Sequence, residues 1–179
     1  MSDVIDWNLQ EAVWNEFETL ENADRVPLGQ NEVRAELVEN FHGRVSAREF
    51  VFASDEPATM AGGENRGPRP LEYFLAGFAL CQQVIYAKNA LATGIEIDAL
   101  SIEANGEVDP RGVLGIGDAP PGFVDDEIAY TTYIESPATD DEVRQLVELA
   151  ERHCPAHATL RGSARFDREI VCNGDRLDV

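Results

Sequence analysis

The stretch PLEYFLAGFALCQQVIYAKNALATG, residues 70–94, decides the fold. It opens on Pro70, a residue favoured at the first helical position because its φ is already fixed there. It then runs through good helix formers and closes on Gly94, suited to the left-handed position that follows a helix. In its first half the apolar residues fall on nearly every side, so a buried central helix is expected. Its apolar run from Tyr73 to Cys81 is broken by Gly77 and followed by Gln82 and Gln83. That is far short of the roughly 18 apolar residues that a bilayer span requires.

Working outward, residues 32–53 are β-compatible with a turn near His42 and Gly43, which predicts a two-stranded hairpin; a Gly- and Pro-rich loop, 55–70, then leads into the helix. Before it, residues 6–21 place Leu9, Val13, Phe17 and Leu20 near helical spacing among acids, an amphipathic helix able to dock on the body. After Gly94, residues Ile95, Ile97, Leu100, Ile102 and Ala104 alternate with polar positions up to Asn105 and Gly106, a half-buried strand. Residues 109–125 read as a long loop, and 127–135 as a strand with Ile128, Tyr130, Thr132 and Ile134 on one face. Thr139 and Glu142 form a T-x-x-E capping box, and Val143, Leu146, Val147, Ala150 and Cys154 follow as a helical stripe that Pro155 ends. Residues 160–171 read as a last strand. The order α, β, β, α, β, β, α, β is that of an α+β domain, and 179 residues suffice for one.

With 34 acidic against 14 basic side chains, the net charge is −20, and a nucleic-acid phosphate backbone is excluded as a partner. Lys88 is the single lysine, a composition compatible with a soluble acidic surface and also with adaptation to high salt, where self-repulsion is screened. The first thirty residues are acidic and lack a continuous apolar core, so no export signal is read and a cytoplasmic, reducing location is expected.

The cysteines stand at 81, 154 and 172 without a C-x-x-C pair, so neither a structural zinc site nor a disulfide framework is expected. Cys81 lies in the central helix and Cys154 on the apolar face of another, both directed inward. The residues alone favour inert core cysteines; a redox pair, one thiolate attacking an oxidant and the other resolving the sulfenic acid, is the second reading. Cys154 to His157 spell C-x-x-H with His153 adjacent, yet a metal needs more ligands, and a histidine facing the negative helix end is the simpler reading. No phosphate-binding glycine motif or G-x-S-x-G elbow is present. No metal or organic cofactor is expected.

The segment GPRPLEYFLAGFALC, residues 67–81, resembles the first-cysteine motif of the OsmC/Ohr family, the osmotically inducible and organic hydroperoxide resistance proteins. HCPAHATLRGS, residues 153–163, resembles the second, in which the other cysteine precedes a proline at a helix end. The DEPATMAGG stretch at 55–63 and DPRG at 109–112 extend the resemblance over about residues 33–171. It divides the chain into an N-terminal helical extension, 1–32, and an OsmC-like domain, 33–179. The resemblance implies antiparallel sheets wrapped around central helices in an intertwined homodimer.

It also implies a thiol-dependent peroxidase with peroxiredoxin-like activity. Cys81 would attack an organic hydroperoxide, Cys154 would close a disulfide on the sulfenic acid, and a small thiol or lipoyl-type dithiol would reduce it. A cation must lower the thiol pKa. In the family an Arg on an N-terminal strand does so, held by a Glu, and here Arg44 and Arg48 compete for that place, with Arg48 slightly favoured and an exposed, charge-balancing role open to both. Glu72 stands two places after Pro70, and nine residues at about 100° each put it opposite Cys81, so it would act near the helix start, across a subunit interface, or simply as a first-turn acid. Phe74, Phe78 and Tyr86 would line an apolar site for alkyl or lipid hydroperoxides. Two rivals stand: a non-catalytic ligand-binding member of the fold, and a thiol redox sensor. Cys172 is read as a bystander.

Overall fold

A computed structural model describes residues 4–162, 164–166, 168–172 and 175–177, with side chains described to Cys172. A 3-10 turn, Trp7–Leu9, leads into α1 (Gln10–Glu21). Three strands follow, β1 (Arg34–Glu39), β2 (His42–Ala47) and β3 (Phe50–Ser54). Then come α2 (Pro70–Thr93), β4 (Ala99–Asn105), the single turn α3 (Pro110–Val113), β5 (Ala129–Glu135), α4 (Asp140–His153), α5 (Pro155–Arg161), β6 (Ile170–Cys172) and β7 (Asp175–Leu177). The strands form an antiparallel sheet β1-β2-β3, a pair β4-β5 and a pair β6-β7. Among the described residues, no helix is long and apolar enough to cross a membrane.

Helix α2 begins and ends as its sequence predicts. Pro70 takes the first helical position, and Gly94 accepts φ 77° while its N–H reaches the Ala90 carbonyl at 2.8 Å. The capping box of α4 is formed as well: Thr139 N–H donates to the Glu142 carboxylate at 2.8 Å, and Glu142 N–H reaches the Thr139 hydroxyl at 3.4 Å. The stripe of α4 lands as spaced, with Leu146, Ala150 and Cys154 without solvent exposure. Leu146 and Ala150 meet Tyr86, Ala90 and Leu91 of α2, and Ile95 and Ile97 beyond it complete the core. Tyr130, Thr132 and Ile134 of β5 share one half-buried face, alternating with exposed Thr131, Tyr133 and Glu135.

Four expectations need correction. Ile95 and Ile97, expected in the strand that runs to Asn105, precede it as core residues, since β4 starts only at Ala99. The β-compatible residues 32–53 form three strands, because the chain turns twice: at Asn40, with φ 50°, and at Arg48, with φ 54°. Left-handed positions at an Asn and an Arg carry no glycine signal that a sequence pattern could catch. Residues 160–171 are not one strand. Pro155 starts a new helix that takes in Leu160, and strand geometry begins only at Ile170; positions 163 and 167 lie outside the described residues. The first half of α2 is not buried, since Leu71, Phe74, Leu80 and Val84 stay exposed while Phe78, Gln82 and Tyr86 turn inward. One chain covers one side of this helix.

The N-terminal segment is joined to the core rather than appended to it. The last carbonyls of any helix lack partners in the helix itself. Here Gln10 Nε2 donates to the Leu91 carbonyl and Trp14 Nε1 to that of Ala92, each at 3.0 Å, and Lys88 pairs with Glu16 at 3.3 Å. Ile5 is itself buried in the core cluster. Since Leu146 has no exposed surface, Leu146→Ala is expected to cost about 2–5 kcal/mol of stability. Urea unfolding measures this, and a loss below about 1 kcal/mol would contradict the packing of α4 on α2.

Candidate active site

Cys81 occupies the inner edge of α2, at i+3 from Phe78 and i+7 from Phe74, so the three share a helical face. Cys154 lies at the corner between α4 and α5. Proline restricts the residue before it to extended geometry, and Cys154 accordingly has φ −72° and ψ 114°. Its N–H closes α4 on the Ala150 carbonyl at 3.0 Å, and its carbonyl accepts from Ala158 at 2.9 Å to open α5. The two cysteines, 73 positions apart in sequence (154 − 81 = 73), are brought near each other across the α2–α4 packing seam, close enough for Cys81 to act on the titration of Cys154. Both are free thiols, Cys81 partly exposed and Cys154 fully buried.

Burial pushes the Cys154 thiol pKa up, and the neighbouring Cys81 sulfur adds to the rise. The Ala156 and His157 amides of the first α5 turn pull the other way, although neither makes a full capping hydrogen bond to the thiol.

Around the pair stands a partly polar shell. Phe78 meets Tyr130 edge-on, centroids 5.3 Å apart, and His157 lies 6.2 Å from each of those rings. Tyr130 donates to the Glu151 carboxylate at 2.7 Å; burial and that carboxylate push its pKa up to about 12. The His157 Nδ1 sits 3.0 Å from the Glu151 carbonyl, which only accepts, so Nδ1 carries the hydrogen. Gln82 is fully buried beside the Tyr130 hydroxyl; it is near enough to ease that rise, yet its carboxamide is aligned for no hydrogen bond among the described residues.

The remaining expected site residues scatter. Arg44 is on β2 and pairs with Glu36 at 2.7 Å, holding that carboxyl below its ordinary range. Arg48, expected on a strand, is instead in the β2–β3 turn with its guanidinium 5.1 Å over the Phe50 ring. The sheet meets α2 at its first turn, where the Tyr73 hydroxyl donates to the Ala53 carbonyl at 2.7 Å. Cys81 is eight residues further on, about 12 Å along the axis. Glu72 accepts the Arg69 N–H at 2.8 Å at the start of α2, the role of a first-turn acid. Phe74 faces Phe123 at 6.0 Å and stays exposed, whereas Phe78 and Tyr86 are core residues in the single chain. Cys172 is exposed on β6. His153 faces the Asn89 carboxamide oxygen at 3.1 Å, and among the described residues no three metal-ligating side chains gather.

The loop 55–70 that delivers Pro70 has a hub the sequence reading missed. Asp55 is buried; burial raises its pKa, but N–H groups of Arg66, Glu56 and Glu64 on its carboxylate outweigh this and hold it below the ordinary range. A Cβ on Gly67 would lie 2.4 Å from the Ala53 carbonyl oxygen, so only glycine passes there. Tyr130, Gln82 and Glu151 were missed as neighbours of the cysteines. The available hint was polar Gln82 among the apolar residues of the helix.

Comparison with known proteins identifies the family and the fold. The family model of OsmC-like proteins matches residues 62–169, and the chain belongs to that family. A hydroperoxide reductase of Mycoplasma genitalium is 28% identical over 110 residues, 60% of this chain and 72% of that protein. The crystal structure of an OsmC-like protein from Mycoplasma pneumoniae superposes with a TM-score of 0.63 at 26% identity, over 75% of this chain and 89% of that one. An organic hydroperoxide resistance protein OsmC from Legionella pneumophila gives 0.58 at 20% identity, over 78% and 94%. The mixed helix and sheet architecture is thus the OsmC-like fold, and residues 1–61 lie outside the family match.

The burial of Cys154 is expected to make it the slowest cysteine to alkylate; iodoacetamide followed by peptide mass spectrometry should label Cys172 first, and equal rates would contradict the site. The raised pKa of Tyr130 favours the folded state fully below its unfolded value near 10, and that advantage is lost as pH rises to about 12. Wild-type stability, followed by urea unfolding, should therefore fall relative to Tyr130→Phe between pH 10 and 12; a constant difference would show that Tyr130 titrates normally.

Proposed function

We propose that this chain is a thiol-dependent peroxidase that reduces organic hydroperoxides to alcohols through Cys81 and Cys154. The observation that carries the reading is the approach of a partly exposed Cys81 and a fully buried Cys154 across the seam between α2 and α4. Membership of the OsmC-like family supports it, as does a relative named hydroperoxide reductase. The Cys81 thiolate attacks the outer oxygen of the hydroperoxide. An S–O bond forms, the O–O bond breaks, and the alkoxide takes a proton to leave as alcohol. Cys154 then attacks the Cys81 sulfenic sulfur; the S–S bond forms and the hydroxyl leaves as water with the Cys154 proton. A small thiol or lipoyl-type dithiol restores both thiols by exchange.

The reading includes a homodimer. In one chain the row Leu80 and Val84 of α2 is uncovered, and Leu37, Val38, Phe50 and Val51 of the three-stranded sheet are exposed as well. A second copy would cover these surfaces and bring Arg44 or Arg48 of its sheet towards Cys81, supplying the cation the thiolate requires. Glu72 would orient that guanidinium across the interface. Phe74, with Phe78 behind it, would form an apolar shelf for the alkyl group, so alkyl and lipid hydroperoxides would be preferred over hydrogen peroxide.

One equivalent of cumene hydroperoxide, followed by intact and peptide mass spectrometry, tests this. Wild-type protein should form a Cys81–Cys154 disulfide that a dithiol reverses, and Cys154→Ser should stop at a dimedone-reactive Cys81. Cys81→Ser should lower turnover by about a hundredfold or more. If both thiols stay reduced while oxidant persists, the cysteines are structural and a ligand-binding role takes over; faster turnover of hydrogen peroxide would refute the substrate class.

A further inference from the structure

Cys154 is set on a hinge. Helix α4 is anchored by Leu146 and Ala150, which have no exposed surface, whereas α5 contributes no buried residue at all. The extended peptide at Cys154 joins the two, so the direction of α5 and the place of the Cys154 sulfur are not set by core burial alone. His157 holds the corner. Its Nδ1–H donates at 3.0 Å to the carbonyl of Glu151 in the last turn of α4, a carbonyl that the helix itself leaves open. The carboxylate of the same Glu151 is gripped at 2.7 Å by the Tyr130 hydroxyl from β5. The His157 ring also rests 6.2 Å from Phe78, one turn before Cys81 on α2. One imidazole thereby touches elements that carry both sulfurs.

We propose that His157, strapped to Glu151 and through it to Tyr130, is the positioning residue that holds Cys154 against Cys81 and sets how readily the disulfide closes. This rests on the two cysteines forming a disulfide, as proposed above. Positioning of this kind acts on the effective concentration of one thiol at the other. Closure transfers two electrons from the dithiol to the oxidant, and exchange with dithiothreitol returns them, so an equilibrium against that reagent reads the positioning directly.

The experiment titrates full-length protein with defined ratios of reduced to oxidised dithiothreitol and counts the Cys81–Cys154 disulfide by mass spectrometry. His157→Ala should shift the equilibrium constant towards the dithiol by about three- to tenfold, the span expected for one lost hydrogen bond. His157→Asn places an amide N–H near the Nδ1 position and should recover at least half of the shift on a logarithmic scale. Tyr130→Phe should move it in the same direction as His157→Ala. A histidine that is merely structural would lower the melting temperature while leaving the constant within twofold of wild type, and that result overturns the proposal. Should His157→Ala fail to fold, Tyr130→Phe decides alone by the same twofold limit. Wild-type protein that forms no disulfide at any ratio would instead refute the peroxidase reading, a failure seen before any variant is compared.

Discussion

The seam where α4 packs on α2 is the constraint from which the rest of this structure follows. Leu146 and Ala150 bury themselves completely against the Tyr86 to Leu91 turn of α2, and the stripe they belong to continues to Cys154. Because burial of apolar surface drives this contact and interiors pack at crystal-like density, the two helices have little freedom to slide. The end of one stripe, where Cys154 stands, is thereby brought near Cys81 on the other helix. The same seam excludes water from Cys154 and leaves Cys81 at its edge, so one packing event creates the difference in exposure between the two thiols.

Local devices finish what packing begins. Pro155 forces the extended geometry of Cys154 and at the same time starts α5, which turns the chain at that cysteine. At the other end of α2, Asp55 gathers three backbone N–H groups and Gly67 slips past the Ala53 carbonyl, so the loop delivers Pro70 in register with β3. Helix α1 completes α2 by answering the open carbonyls of Leu91 and Ala92. Ile5 carries this segment into the core. The N-terminal residues therefore serve the central helix although they lie outside the family match.

Wherever a signal is periodic or tied to one residue type, the chain is legible. The α4 stripe, its capping box, the proline and glycine that bound α2, and the alternating face of β5 could all be read directly, because each depends on neighbours within a few positions. The misread places depend on something else. Two left-handed turns at Asn40 and Arg48 made three strands from residues that suggested two. Leu160 and its neighbours have strand-like composition but inherit helix from Pro155. The first half of α2 looks fit for complete burial, yet in one chain α4 and α5 reach only one side of it, so Leu80 and Val84 remain uncovered.

By itself, the sequence determined the α+β class, the helices that bear Cys81 and Cys154, and the inward face on which Cys154 lies, since helical periodicity and proline sterics are local. It left open whether the cysteines meet, because no periodicity relates residues 73 positions apart. Tertiary packing brings them near each other, and it also joins Tyr130, Glu151 and His157 from three elements into one hydrogen-bonded and aromatic group. Arg44, Arg48 and Glu72 find partners close in sequence, within their own sheet or at their own helix cap, whereas the meeting of β5, α4 and α5 is long-range. Contacts of that kind are set by which surfaces bury each other most completely, and that is a property of the whole folded chain.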